Sequence, residues 1–273
     1  MISTYIDSSY KKKKSLSMKS LIRKYLIKAL HPLNTKLGYR LVNHLPAPVI
    51  HTDLLDNFYS ILKKINFVPN HIIDVGANHG NWTRSALRYF PAAYYTLLEP
   101  QGWLKSSITD LLENNPKIKF YPVGAGNEPG SFKFTVVDRD DSSSFRFTEA
   151  EAASHGFERL SVEIVTLNQL VKDQNLPVPD IIKIDAEGLD IEVLQGANSF
   201  FGKTEIFMVE AGVVSKSINN SFLKVINFMN DNGYRLFEIT DLNRPFQLPV
   251  LWLTELVFIK KNGIVDSLNI VYS

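Results

Sequence analysis

From about residue 50 the chain alternates short apolar runs with longer stretches whose apolar residues recur every three or four positions. HIIDV (71–75), YYTLLE (94–99), IKFYPV (118–123), DIIKID (180–185) and EIFMVE (205–210) read as short, mostly buried strands. Between them NWTRSALRYF, WLKSSITDLLENN and LDIEVLQGANSF are each long enough for a helix. This order predicts βαβ units, hence an α/β fold with a mostly parallel, doubly wound sheet and helices on both faces. Near the end, YRLFEI (234–239) and WLTELVFIK (252–260) are joined by a loop with two prolines, too short for a helical crossover. They predict an antiparallel pair finishing the sheet. SFKFTVV (131–137) and SVEIVTL (161–167) read as inserted or flanking strands around a Ser/Asp-rich loop.

The first 50 residues follow another pattern. Through Lys14 they are polar and end in four lysines; then SLSMKSLIRKYLIKAL places Leu16, Met18, Leu21, Ile22, Tyr25, Leu26, Ile27 and Leu30 at a spacing that predicts an amphipathic basic helix ending at His31-Pro32. Two organisational units follow: a basic extension over 1–50 and a main domain over 51–273. The net charge of +2 hides this division, since residues 1–50 carry ten Lys/Arg against Asp7 alone, and the other 223 residues carry 20 basic and 27 acidic side chains. The basic helix suits packing on the main domain or peripheral contact with an anionic membrane surface. The acidic body disfavours a phosphate groove, so nucleic acid is not the expected partner.

The absence of cysteine excludes disulfides, thiolate metal sites and a cysteine nucleophile, and fits a cytoplasmic address, with the inner face of the membrane as a peripheral station. The longer apolar runs break within about ten positions, short of the roughly 20 that a spanning helix needs.

Candidate chemistry begins at IIDVGANHG (72–80), where a greasy strand ends in Asp74 and a turn containing Gly76, Asn78 and Gly80. In open α/β sheets ligands bind beyond the carboxyl ends of the strands. A dinucleotide site would carry G-x-G-x-x-G; here the glycines stand four apart with no third partner, and a carboxylate precedes them, suited to a ligand ammonium. Glu99, before Pro100 at the end of the second strand, is a bidentate acceptor suited to two ribose hydroxyls. A ligand with a ribose and an ammonium but no pyrophosphate is S-adenosylmethionine. Each residue also has a plainer use: Asp74 as a helix cap, the glycines as turn residues, Glu99 as a surface acid.

DVGANHGNWT, LLEP, FMVE and above all KIDAEGLDIEVLQGA (183–197) resemble the FkbM family of S-adenosylmethionine-dependent methyltransferases, over roughly residues 70–260. The last stretch matches the family's K-x-D-x-E-G pattern followed by V-L-x-G-A; VTLNQL (165–170) resembles its T-L-D-x-L segment, with Asn168 in place of the aspartate. The resemblance implies a Rossmann-like class I methyltransferase with a seven-stranded sheet, acting on a hydroxyl of a small molecule or carbohydrate.

Asp185 and Glu187 follow a buried strand and, two apart, can face one site; Glu210 ends the next strand. They are the candidates for general base, acceptor contacts, or an oxygen-only set for a divalent metal, magnesium or calcium. Capping of the following helix is the plainer use of the first two. Lys183, inside a strand, calls for a salt link to one of these acids. His79, His155, Trp103 and DRDDSSSF (138–145) are further candidates for cofactor or acceptor contacts. Two other classes stay open: an NAD(P)-dependent oxidoreductase, and a non-catalytic membrane-associated nucleotide-binding module.

Overall fold

Strands without a polar face must be covered on both sides, and the apolar runs accordingly form the centre of the main sheet. The computed structural model describes residues 53–136, 149–214 and 220–268. The expected basic helix and the DRDDSSSF loop lie outside them. The strands are β1 (His71–Val75), β2 (Tyr94–Leu98), β3 (Ile118–Tyr121), β4 (Gly124–Ala125), β5 (Gly130–Val136), β6 (Glu158–Val165), β7 (Ile181–Ile184), β8 (Ile206–Gly212), β9 (Tyr234–Asn243) and β10 (Leu253–Lys260). Seven form one sheet in the order β3-β2-β1-β7-β8-β10-β9. β1 pairs in parallel with β2 and β7, β7 with β8, while β10 runs antiparallel to β8 and β9. The predicted α/β sheet and its closing antiparallel pair are both present. β5 and β6 pair with each other and, with β4, make a separate three-stranded sheet.

Alternation along the central strands divides the core. Ile73, Val75, Ile182, Ile184, Phe207 and Val209 face one side, where α5 (Leu167–Asp173), α6 (Asp190–Gln195) and α7 (Phe222–Asp231) pack. Ile72, Ile181, Ile206 and Met208 face the other, against α1 (Leu54–Lys64) and α2 (Asn81–Tyr89). Each such side chain is fully buried and contributes about 1.5–3 kcal/mol. Asp74 and Lys183 share the second face and are register partners.

Two of the helices predicted for the main domain are broken. WLKSSITDLLENN becomes a 3₁₀ segment, Gly102–Ile108, leading into the short α3 (Thr109–Asn114). There Ser106 and Ser107 hydroxyls donate to the carbonyls of Trp103 and Leu104, offering the backbone a tighter local alternative. The other splits at Gly196, where a Cβ would lie 1.9 Å from the Gly126 carbonyl, so this spot must approach another backbone. The pattern left α1, α4 (Glu149–His155), α5 and α7 unread. Thr166, expected as strand, instead caps α5 by accepting from the Gln169 N–H at 3.1 Å.

Candidate functional site

The end of β1 is shaped by two glycines with different tasks. Gly76 has φ +72°, and a Cβ there would lie 2.0 Å from the Asp185 carbonyl, so it lets the loops after β1 and β7 touch. Gly80, also at φ +72°, starts α2; a Cβ there would press on Ile108 and Leu111 at 2.9 Å, and the residue lines neither of the cavities described below. The N–H groups of the turn all have acceptors. Gly76 and Ala77 donate to the Leu98 carbonyl, Asn78 to Glu99, His79 to the Asn78 side chain, and Gly80 to the Ala77 carbonyl. A turn with no N–H to spare cannot cradle a phosphate.

Asp74, expected from the sequence to face a ligand ammonium, lines neither of the cavities described below. Its side chain is fully buried, accepts from the Thr83 hydroxyl at 2.6 Å and lies 3.4 Å from the Lys183 ammonium. As register partners on adjacent strands, the two face each other, and the ammonium that Asp74 holds is the protein's own. Lys183 also reaches the Gly76 carbonyl (3.1 Å) and Asp185 (3.3 Å). Burial alone would lower its pKa; the carboxylates of Asp185 and Asp74 outweigh that and keep it charged. The salt link expected for Lys183 is therefore double.

Glu99 is held at the end of β2 by the Asn78 N–H on Oε2 (2.9 Å) and by the Gln101 N–H on Oε1 (2.9 Å), with the Gln101 amide adding a longer bond. Burial pushes its pKa up, against the opposing pull of those donors. It lines a cavity with apolar walls from Leu98, Val123, Ala125 and Phe134, which Asp185 and Glu187 close from the β7 side. Three acceptor positions of Glu99 are taken, leaving Oε2 to accept a ligand hydroxyl. Glu187 sits in the left-handed region at φ +49°, a conformation costing on the order of 1 kcal/mol or more for a non-glycine residue, which turns it into this cavity.

Beyond Gly76, Asn78 and Asp185, which line both spaces, lies an open cleft of about 900 Å³. Asp185, 38% exposed, stands at the junction. Glu210 lines the cleft; its Oε2 is buried without a hydrogen-bond partner among the described residues, and burial followed by the charges of Asp185 and Asp190 drives its pKa upward. Glu255, which the sequence did not single out, also lines the cleft and accepts from Thr240; burial pushes it up to about 7. Asp190 is a structural acid: it accepts from the N–H groups of Ala186 and Gly188 and from Asn220, and burial raises it to about 7. Asp185 and Glu187 thus take the cavity-lining role, and the capping of the β7–α6 turn falls to Asp190. Asp185, Glu187 and Glu210 do not assemble the oxygen-only metal set: among the described residues no three His, Asp or Glu side chains group as metal ligands.

His79 lines the cleft, whereas His155 stacks on Phe157 and lines neither space. Trp103 is 47% exposed and lines neither space. Phe134 and Glu255 come from strands whose positions over the site follow from tertiary pairing alone. No local signal in the sequence marks them.

Residues 74–236 match the family model described as the methyltransferase FkbM domain, more than half of the chain. Among solved structures, the chain is similar to precorrin-6y C5,15-methyltransferase from Geobacter metallireducens GS-15 (13% identity, 74% of this chain and 85% of that one, TM-score 0.41). It is also similar to 1,6-didemethyltoxoflavin-N1-methyltransferase from Burkholderia thailandensis, solved with 1,6-didemethyltoxoflavin and S-adenosylhomocysteine bound (10% identity, 94% and 98% covered, TM-score 0.41). A search of the curated proteins found no match.

Proposed function

The chain belongs to the FkbM methyltransferase family, and from that premise we propose that it moves the methyl group of S-adenosylmethionine to a hydroxyl oxygen of a small molecule or carbohydrate. The observation that carries this reading is the pair of spaces meeting at Gly76, Asn78 and Asp185: a cavity with apolar walls and one buried carboxylate, opening onto a roomy polar cleft. The first fits an adenosine, with Glu99 Oε2 facing a ribose hydroxyl and Leu98, Val123 and Phe134 around the base. The turn at Gly76–Gly80 has no N–H to spare for a pyrophosphate, which also argues against an NAD(P)-dependent oxidoreductase.

When bound, S-adenosylmethionine supplies a methyl group already made electrophilic by its sulfonium. The protein's share is to hold an acceptor oxygen in line and to take its proton. Positioning of this kind supplies on the order of 7–11 kcal/mol in favourable cases. Asp185, at the junction and fixed by Lys183, is the proton acceptor; Glu187 borders the cofactor side and Glu210 the acceptor side. Transfer of a ¹³C-methyl group to a panel of hydroxyl compounds, read by the carbon shift of the product, tests the reading. Product methyls on oxygen are expected, whereas methyls on nitrogen or carbon alone would overturn it. Asp185→Asn is expected to lower kcat by about 10²–10⁴-fold with little change in S-adenosylhomocysteine affinity, and full turnover would remove Asp185 as the base.

A further inference from the structure

The acceptor half of the cleft carries more acidic side chains than the described residues match with basic ones. Strand register makes this a built row. Glu210 on β8 pairs with Glu255 on β10, which pairs with Asp241 on β9. Asp185 follows Ile184, whose partner is Val209, so it extends the row on the other side. Side chains paired in this way stand on one face of the sheet with Cβ atoms about 5 Å apart, where like charges destabilise each other. All four line the cleft, as does Asp53, while among the described residues Lys183 is the single Lys or Arg that lines it and is already engaged by Asp74, Asp185 and the Gly76 carbonyl.

A second observation is independent of the acid count. Oε2 of Glu210 is buried with no hydrogen-bond partner among the described residues, although the same neighbourhood supplies donors elsewhere: Thr240 to Glu255, and Asn220 to Asp190. A buried carboxylate oxygen without a donor is costly to leave so. Burial first, and then the charges of Asp185 and Asp190, push the Glu210 pKa upward, and burial does the same for Glu255. A metal ion does not fit the described acids as a group. A phosphate or carboxylate on the acceptor would add a like charge to the row. A neutral polyol would supply hydrogen bonds and leave the charge as it is.

We infer that the methyl acceptor is cationic, a hydroxyl compound bearing a protonated amine that lodges against Glu210 and Glu255, as an amino sugar or aminocyclitol would. This rests on the assignment of the cleft as the acceptor site, and it narrows the substrate from hydroxyl compounds at large to those with a free amine. The ammonium's three N–H groups give Glu210 the donor it lacks and leave a neighbouring hydroxyl to face Asp185.

The test uses the full chain saturated with S-adenosylhomocysteine and follows its melting temperature. The amine probes are glucosamine, 2-deoxystreptamine and ethanolamine; the controls are N-acetylglucosamine, glucose and glucose 6-phosphate. At about ten times its dissociation constant, a ligand of the folded state should raise the melting temperature by roughly 3 °C. At least one amine is expected to do so while the neutral and phosphorylated controls do not, and the Glu210→Gln/Glu255→Gln double variant should lose the response. That variant's affinity for S-adenosylhomocysteine, measured by calorimetry, should stay within about threefold of the parent and certifies its fold; if it fails, the single Glu210→Gln variant is read instead. No response to any amine, an equal response to a control, or an amine response that survives in the folded variant each overturns the proposal. Failure of the parent protein to bind S-adenosylhomocysteine at all would instead overturn the methyltransferase site reading on which it stands.

Discussion

The two halves of the site are finished to different degrees. At the ends of β1 and β2 every N–H from Gly76 to Gly80 has an acceptor, and Glu99 is clasped by donors from Asn78 and Gln101. Asp74 and Lys183 neutralise each other beneath that floor. At the ends of β8, β10 and β9, carboxylates stand side by side, and Glu210 keeps a buried oxygen with no donor among the described residues. The first half is a socket whose N–H groups and Glu99 are already paired, although Asp74 Oδ1 meets Lys183 only as an ion pair. The second has electrostatics that a ligand completes, so the cofactor side can be read from shape and the acceptor side from what is missing.

The largest expected break in this contrast is Gly76→Ala. A methyl group 2.0 Å from the Asp185 carbonyl, on a residue at φ +72°, should destabilise the fold by about 3 kcal/mol or more, measured by urea denaturation. A loss below about 1 kcal/mol would mean that the socket is not rigid. Next, Glu99→Ala should weaken S-adenosylhomocysteine binding by roughly 1–3 kcal/mol, because the N–H groups of Asn78 and Gln101 lose their acceptor as well as the ribose contact. Unchanged affinity would take Glu99 out of the site.

A smaller effect sharpens the acceptor side. Glu255 has a folded-state pKa raised to about 7, chiefly by burial. Below the ordinary carboxylate range the group is protonated in both states. As pH climbs toward 7 the unfolded chain releases its proton first, and folding loses stability over that window. Glu255→Gln should therefore be more stable than the parent above pH 7, by about 1–2 kcal/mol, with the gain fading by pH 4. Equal denaturation midpoints at both pH values would mean that a countercharge is already present.

The same contrast explains how much could be read in advance. β1, β2, β7 and β8 are short apolar runs in a parallel sheet, each closing on an acid or a glycine, so their order and the place of Glu99, Asp185 and Glu210 were legible in the residues. The pairing of Asp74 with Lys183 was not legible, because the two lie 109 positions apart and meet through strand register. The row from Glu210 to Asp241 has the same origin. No local spacing marks Glu255, which acquires its neighbours when β10 folds back between β8 and β9. The 3₁₀ segment after Glu99 escaped for a different reason, since serine side chains won a local competition for carbonyls that apolar periodicity does not register. Among the described residues no helix is long and apolar enough to cross a membrane, in line with the broken apolar runs.

The central claim, that the socket beyond β1 and β2 holds S-adenosylmethionine and no dinucleotide, is tested most directly by calorimetric titration of the full chain with S-adenosylmethionine and S-adenosylhomocysteine, with NADH as control. Micromolar binding of the first two that weakens in Glu99→Ala, and none of NADH, is the predicted result. Binding of NADH, or of none of the three, would contradict it.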